Sequence, residues 1–332
     1  MGSVAMLGQS TLRLDMREFQ PSEYGRLAEL YGTIYPDYNR SPNEWRFWDE
    51  SLDRSKYLRK RYSCFDSEND QIVGFGEIGH ATWMFHPQKF WLEIWVDPNR
   101  QGQGVGSAIY DKLSKDMEKL GAITCWAGVK EDMPIPLTFL AKRGFRERMK
   151  AWESRLNPAQ VSLSNFSNYS QRVSKEGIVI SSLAEDRRDN PECLRKLYDL
   201  VQTVAADMPM PDKFTPTSYE QWLAAEINAP GLAPDGYMIA KDGSKYVGLS
   251  TVWLAEKEAK GLYQGLTGVR REYRGRGIAV ALKLRVIDFA QRNGYELIKT
   301  WNASINAPML AVNHKLGFKR QVGWITFEKQ LA

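Results

Sequence analysis

The chain repeats itself, and the repeat limits what it can fold into. Gly104, in the run Gln101-Gly-Gln-Gly-Val-Gly106, has its counterpart in Gly277, in Arg274-Gly-Arg-Gly-Ile-Ala279, and 277 − 104 = 173 residues. Gly144-Phe145 recurs as Gly317-Phe318 at the same offset, and Val73-Gly74 recurs as Val247-Gly248 at 174. Solenoid repeats run roughly 20–50 residues, so a period of half the chain means two duplicated domains rather than an array. The length of 332 residues suits two units. Between them, residues 158–176 are rich in Asn, Ser and Gln and lose periodic hydrophobicity. The expected organisation is therefore one domain over 1–157, a linker over 158–176 and a second domain over 177–332.

Each half reads in the same order. A strand (Thr11–Met16; Ile178–Leu183) leads to an amphipathic helix (Tyr24–Tyr35; Cys193–Ala206) and a Pro-containing loop. A second helix follows (Ser41–Asp53; Ser218–Ile227), then strands near Gln71–Gly79 and Tyr246–Leu254. The next strand (Trp91–Val96; Gly265–Val269) runs straight into the glycine loop, with a helix behind it (Gly106–Leu120; Ala279–Asn293). Another strand, a short helix ending at Gly-Phe and a last strand (Glu147–Leu156; Gln321–Lys329) are expected to complete each half. The fold class is α/β in the mixed, α+β sense: mostly antiparallel strands with helices on both faces.

Composition enters by exclusion. At 43% apolar residues the chain buries two cores, and 45 basic against 40 acidic residues are intermixed, without the basic stripe of a nucleic-acid binder. Three scattered cysteines suggest neither a disulfide framework nor a zinc site. No apolar run approaches the roughly 18 residues of a membrane span. The first ten residues lack the basic and apolar regions of a secretory leader. A cytoplasmic protein is expected, monomeric or homodimeric, with no metal, nucleic acid or membrane partner.

The glycine loops carry the chemistry. In Val269-Arg-Arg-Glu-Tyr-Arg-Gly-Arg-Gly-Ile-Ala279 a strand ends, an Arg/Gly turn follows and a helix-forming run starts at once. A helix start offers unpaired N–H groups and the positive end of the helix dipole, and glycines let the backbone approach an anion. A dinucleotide fold would want a third glycine and a later acidic residue, and a nucleotide-triphosphate loop would want Gly-Lys-Ser/Thr; neither pattern is present.

The pattern Val-x-Pro-x-x-Gln/Arg-x-x-Gly-x-Gly/Ala, with Gly-Phe some forty residues on, resembles the acyl-CoA signature of the GNAT superfamily. Val96-Asp-Pro98 with Gln101-x-x-Gly104-x-Gly106 matches it throughout; Val269 with Arg274-x-x-Gly277-x-Ala279 matches except for Arg271 in place of proline. The run Trp301-Asn302 through Asn306, Met309 and Asn313 to Leu316-Gly-Phe318 resembles the family's second cofactor-contacting motif. The resemblance implies acetyl-CoA or CoA as cofactor, a small-molecule amine as acceptor, and direct attack of the amine on the thioester between two splayed strands. It implies cofactor contacts at Val96, Gln101, Gly102, Gln103, Gly104, Val105 and Gly106. In the second half the corresponding positions are Val269, Arg274, Gly275, Arg276, Gly277, Ile278 and Ala279, with Asn302, Asn306, Met309 and Asn313.

Catalytic groups are less plain. The tyrosine that many members use as an acid is replaced by Leu140 in one half and Asn313 in the other, and Tyr263 is a substitute candidate. Glu93 reads either as a base or as a solvent-facing strand carboxylate, and Gln264 stands at a comparable place in the second half. His86 and His314 are further candidates. Asp207 and Asp212, in the loop between the first two helices of the second half, are candidates for holding a cationic amine or are simply solvated. The richer signature points to the second half as the working one. Two alternatives stay open: a module that binds CoA or another small ligand without transfer, and transfer of a longer acyl or an aminoacyl group.

Overall fold

The computed structural model describes residues 12–255 and 260–331. The stretch 1–11, read above as carrying no leader, lies outside them, as does Thr11 of the expected first strand. The first half runs β1 (Leu14–Glu18), α1 (Tyr24–Ile34), α2 (Pro42–Glu50), β2 (Arg59–Asp66), β3 (Gln71–Gly79) and β4 (Lys89–Val96). It continues with α3 (Val105–Lys119), β5 (Thr124–Lys130), α4 (Pro134–Ala141) and β6 (Arg146–Leu156). A connecting helix, α5 (Ser167–Lys175), leads to β7 (Ile178–Ser182), α6 (Leu183–Asp189), α7 (Cys193–Ala205) and α8 (Tyr219–Trp222). Then come β8 (Met238–Asp242), β9 (Lys245–Leu254), β10 (Gly261–Val269), α9 (Ile278–Arg292), β11 (Leu297–Ala303), α10 (Ala307–Lys315) and β12 (Lys319–Gln330). Sequence reading missed β2, β8, α5 and α6. The second helix of the later half is a single α-turn that widens into a π-helix over Leu223–Ile227.

All twelve strands form one sheet, in the order β1-β2-β3-β4-β5-β12-β6-β11-β10-β9-β8-β7. Among the described residues, only β4–β5 and β10–β11 pair in parallel. The order corrects one expectation. The last strand of each half does not complete its own sheet: β12 pairs with β5 of the first half, and β6 pairs with β11 of the second. The two exchanged strands also pair with each other. Both strands carry the same pattern, so either satisfies the edge left by β5 or β11, and sequence periodicity does not choose between them.

Apolar residues line both faces of this sheet, two clusters to each half. In the first half α3 packs through Val105, Ile109 and Leu113 on one face, and α1 packs through Leu27, Leu30 and Tyr31 on the other. In the second half α9 and α7 do the same through Ile278, Leu282 and Val286 and through Leu197, Leu200 and Val201. The exchange mixes the cores. Leu156 is buried among second-half residues, while Phe327 and Leu331 pack against the first-half cluster.

Loops tie the halves further. Lys299 Nζ donates to the Asp37 carbonyl at 2.8 Å. Asp212 pairs with Lys89 at 2.6 Å, and the Thr215 amide donates to the Trp83 carbonyl at 2.8 Å. Neither half can unfold without stripping the other of a strand and of core contacts. Heating is therefore expected to give one cooperative transition with equal calorimetric and van't Hoff enthalpies. Two resolved transitions in differential scanning calorimetry would contradict this coupling.

Candidate active site

Each parallel pair opens into a fork. β4 and β5 are paired only from Lys89↔Thr124 to Trp91↔Trp126, yet β4 continues to Val96 and β5 to Lys130. In the second half, pairing ends at Gln264↔Thr300 while β10 continues to Val269 and β11 to Ala303. Beyond each fork the strand edges face each other without ladder hydrogen bonds. Their backbone groups are thus left to pair with an extended, amide-bearing ligand arm.

The glycine loops stand at the tips of these forks, and the same local bonds shape both. Gln101 Nε2 reaches back to the Val96 carbonyl at 3.4 Å, and Arg274 Nε to the Val269 carbonyl at 3.0 Å. Gln103 donates to the Asn99 carbonyl and Arg276 to the Glu272 carbonyl, each four residues back. Val105 and Ile278, just inside the helices, are buried and pin the loops to the cores. Gly104 and Gly277 are the N-cap residues of α3 and α9, at φ +91° and +87°. A side chain in that left-handed region costs roughly 1–2 kcal/mol.

The two cradles differ in what lies over them. A Cβ added at Gly102 or Gly104 would meet nothing within 4 Å. One added at Gly277 would lie 2.9 Å from the ring of Tyr169 on α5. Tyr169 is held there by Lys315 of α10, whose Nζ donates to its hydroxyl at 2.7 Å. Arg172 donates to the Gly275 carbonyl at 3.4 Å, and Arg276 pairs with Glu176 at 3.8 Å. The segment read as a linker thus lies across the second glycine loop. Its signal was present as Leu163, Phe166, Tyr169 and Val173 at spacings of three and four, masked by the polar residues between them.

The strands differ as well. β3 and β4 pair without interruption from Gly74↔Val96 to Gly79↔Trp91. β10 carries a bulge against β9 between Gln264 and Thr267, which places Gly265 and Leu266 opposite Thr251.

Glu93 points from β4 toward α1, in register with Glu77 on β3. It is exposed to water, yet protein crowds it closely. Desolvation, with the Glu77 charge second, lifts its carboxyl to about 7, against the pull of Arg40, Arg59 and Arg61. Gln264 does not face its fork. It is buried under α9, accepts from Lys283 Nζ and donates to Ser250 Oγ at 3.0 Å, and Ser250 in turn meets Thr267 at 2.8 Å. Tyr263 lies in the paired part of β10, its ring 5.7 Å from that of Trp301.

Both candidate acceptor carboxylates are already partnered. Asp207 clamps Arg271 and Arg274 at the turn of the second glycine loop; the hydrogen bond from Arg271 does most to hold its carboxyl down at about 2. The carboxyl of Asp212 is lowered by Lys89 although burial opposes this. Asn302 and Asn313 hydrogen-bond to each other at 2.6 Å, and Asn306 caps α10 by accepting from the Met309 amide. Leu140 is buried, His314 is exposed, and His86 Nδ1 accepts from the Gln88 amide. The structure has both glycine loops at the fork tips and Glu93 on β4 beside the first fork; sequence reading did not single out Tyr169 or Lys283.

Lys283 generates a test of its own. It is buried, and desolvation lowers its amine to about 7. Unfolded, it titrates at roughly 10.4. Between those values the unfolded chain binds the extra proton, so stability rises with pH from about 7 to 10, and the penalty is full below pH 7. Relative to the wild type, Lys283→Met is expected to flatten that rise in the unfolding midpoint. Parallel pH curves for the two proteins would contradict the assignment.

The acetyltransferase (GNAT) family matches twice, over residues 24–145 and 197–318. The chain is similar to a tandem GNAT protein from the clavulanic acid biosynthesis pathway, at 17% identity over 96% of this chain and 99% of that one, with a TM-score of 0.73. It is also similar to a GCN5-related N-acetyltransferase from Sphaerobacter thermophilus, at 17% identity over 96% and 95%, with a TM-score of 0.68. At these identities the likeness is one of fold. No curated protein sequence matches the chain. No helix among the described residues is long and apolar enough to cross a membrane.

Proposed function

The chain belongs to the acetyltransferase (GNAT) family, and from that premise we propose that it transfers an acetyl group from acetyl-CoA to a small-molecule amine in the fork of its first half. The observation that carries this choice is the contrast between the cradles: the space at Gly102 and Gly104 is open, whereas Tyr169 lies against Gly277. The richer motif had pointed to the second half, and its bulge on β10 fits the same chemistry. Its asparagines, however, are engaged with each other and with the start of α10, and Gln264 is turned into the core.

The residues of the first half fit the donor. The amides of the Gly102–Gly106 turn and the start of α3 suit a pyrophosphate, and the free edge of β4 suits the pantetheine amides. Acetyl-CoA, when bound, supplies a thioester carbon open to attack. Glu93, at the α1 side of the fork, takes the proton that the amine must lose. A carboxyl near 7 is matched to that task at neutral pH, because about half of it is ionised and the ionised form is still basic. The remaining gain comes from holding the two reactants together in a crowded fork.

Two measurements test this reading. Gly104→Glu is expected to weaken acetyl-CoA binding at least about tenfold in calorimetry, while Gly277→Glu leaves it within a factor of two or so. The reverse pattern would move the site to the second half. With any amine that is turned over, kcat/KM is expected to rise with pH through about 7 as Glu93 ionises. Glu93→Gln should lower kcat/KM by roughly 10²–10⁴ and remove that limb. An unchanged pH profile in the variant would exclude Glu93 as the base.

A further inference from the structure

The α1 side of the first fork is built mainly of aromatic rings. Tyr31 and Tyr35 both feel the charge of Glu93, and their rings lie 5.2 Å apart. Trp91, two residues before Glu93 on β4, shares its face of the strand and leans on Trp126 at 6.2 Å. A further wall comes from the far end of the chain. The exchanged strand β12 brings Trp324 opposite Lys130 of β5, with its ring 5.3 Å from Tyr35. Both Tyr35 and Trp324 are half-buried, and Glu93 is exposed.

One charge stands at the rim. Arg40, exposed on the loop between α1 and α2, lies 5.3 Å over the Tyr31 ring and 5.1 Å over that of Trp45. It makes no ion pair among the described residues, and its charge acts on Glu93. A carboxylate at the floor suits an amine, ring faces suit a flat body, and a guanidinium suits a second, anionic group on the same molecule. A diamine fits less well, because its second ammonium would meet Arg40 at the rim, while the nearby carboxylates Glu77 and Asp49 are already paired with Arg59 and Arg61.

We propose that the acceptor is an aromatic amino acid or a close analogue, with its amine at Glu93, its ring against Tyr35 and Trp324, and its carboxylate on Arg40. This rests on the preceding reading that acyl transfer takes place in the first fork. The reaction forms a bond between the amine nitrogen and the acyl carbon and breaks the thioester C–S bond. The sulfur keeps the electron pair, and the amine proton passes to Glu93 and on to water.

The experiment compares L-tryptophan and L-phenylalanine with tryptamine, L-alanine and putrescine as acceptors of acetyl-CoA, reading the thiol released. The aromatic amino acids are expected to lead each of the other three by at least about tenfold in kcat/KM, the scale of one charge-assisted hydrogen bond. Arg40→Gln is expected to raise KM for L-tryptophan about tenfold and leave KM for tryptamine unchanged. Trp324→Leu should raise KM for both, with acetyl-CoA affinity intact. Preference for putrescine or L-alanine, or equal loss for tryptophan and tryptamine in Arg40→Gln, overturns the assignment.

Calorimetric titration of L-tryptophan without acetyl-CoA separates the two readings. Binding that Arg40→Gln abolishes, without turnover, supports the acceptor pocket and sinks the transfer reading. Turnover of other amines without tryptophan binding overturns the pocket and leaves transfer standing.

Discussion

The pairing of β12 with β5 and β6, and of β6 with β11, is the constraint on which the rest of this molecule depends. Without it the chain would be two similar domains joined by a polar segment. With it, the middle of the twelve-stranded sheet is made of strands whose neighbours belong to the other half. Burying those strands satisfies backbone groups that would otherwise form exposed edges on β5 and β11. The same exchange fixes the loops: Asp37 is bound across the pseudo-repeat by Lys299 and from the exchanged strand β6 by Arg155, and Asp212 is bound across it by Lys89. The α1 side of the first fork is thus walled partly by residues more than a hundred positions away.

Duplication gave two copies of one device, and the structure shows how they have diverged. The turns still share the side chain that returns to the end of the preceding strand and the one that reaches four residues back. What differs is the surroundings. The second loop is covered by Tyr169, its turn is clamped by Asp207, and Leu266, packed against the α7 cluster, stands at the position that Glu93 holds in the first half. The first keeps an open cradle and an accessible acid. A second half of this kind still supplies a strand, a core and the Trp324 wall to its neighbour.

Much of this was legible in the sequence, for physical reasons. Glycines at φ near +90° are hard to replace, so Gly104 and Gly277 mark helix starts plainly, and the offset between them exposes the repeat. The position of Glu93 on its strand was legible because the end of that strand is marked by its glycine loop. Partner choice was not legible: β6 and β12 present equivalent patterns, and hydrophobic alternation says which face is buried but not which strand lies alongside. Nor was the cover over the second loop. The segment holding Tyr169 is mostly polar, and its few apolar residues make a helix only by packing on α9. Asp207 and Asp212 looked available because the cations that bind them are distant in sequence.

A structure determined with CoA bound at saturation tests the central claim most directly. The account expects one molecule, lying in the β4–β5 fork with its pyrophosphate against the amides of residues 102–106. Tyr169 should remain seated on Gly277 with its hydroxyl on Lys315. Cofactor seated instead on residues 275–279, with Tyr169 displaced, would contradict the account and return the working site to the second half.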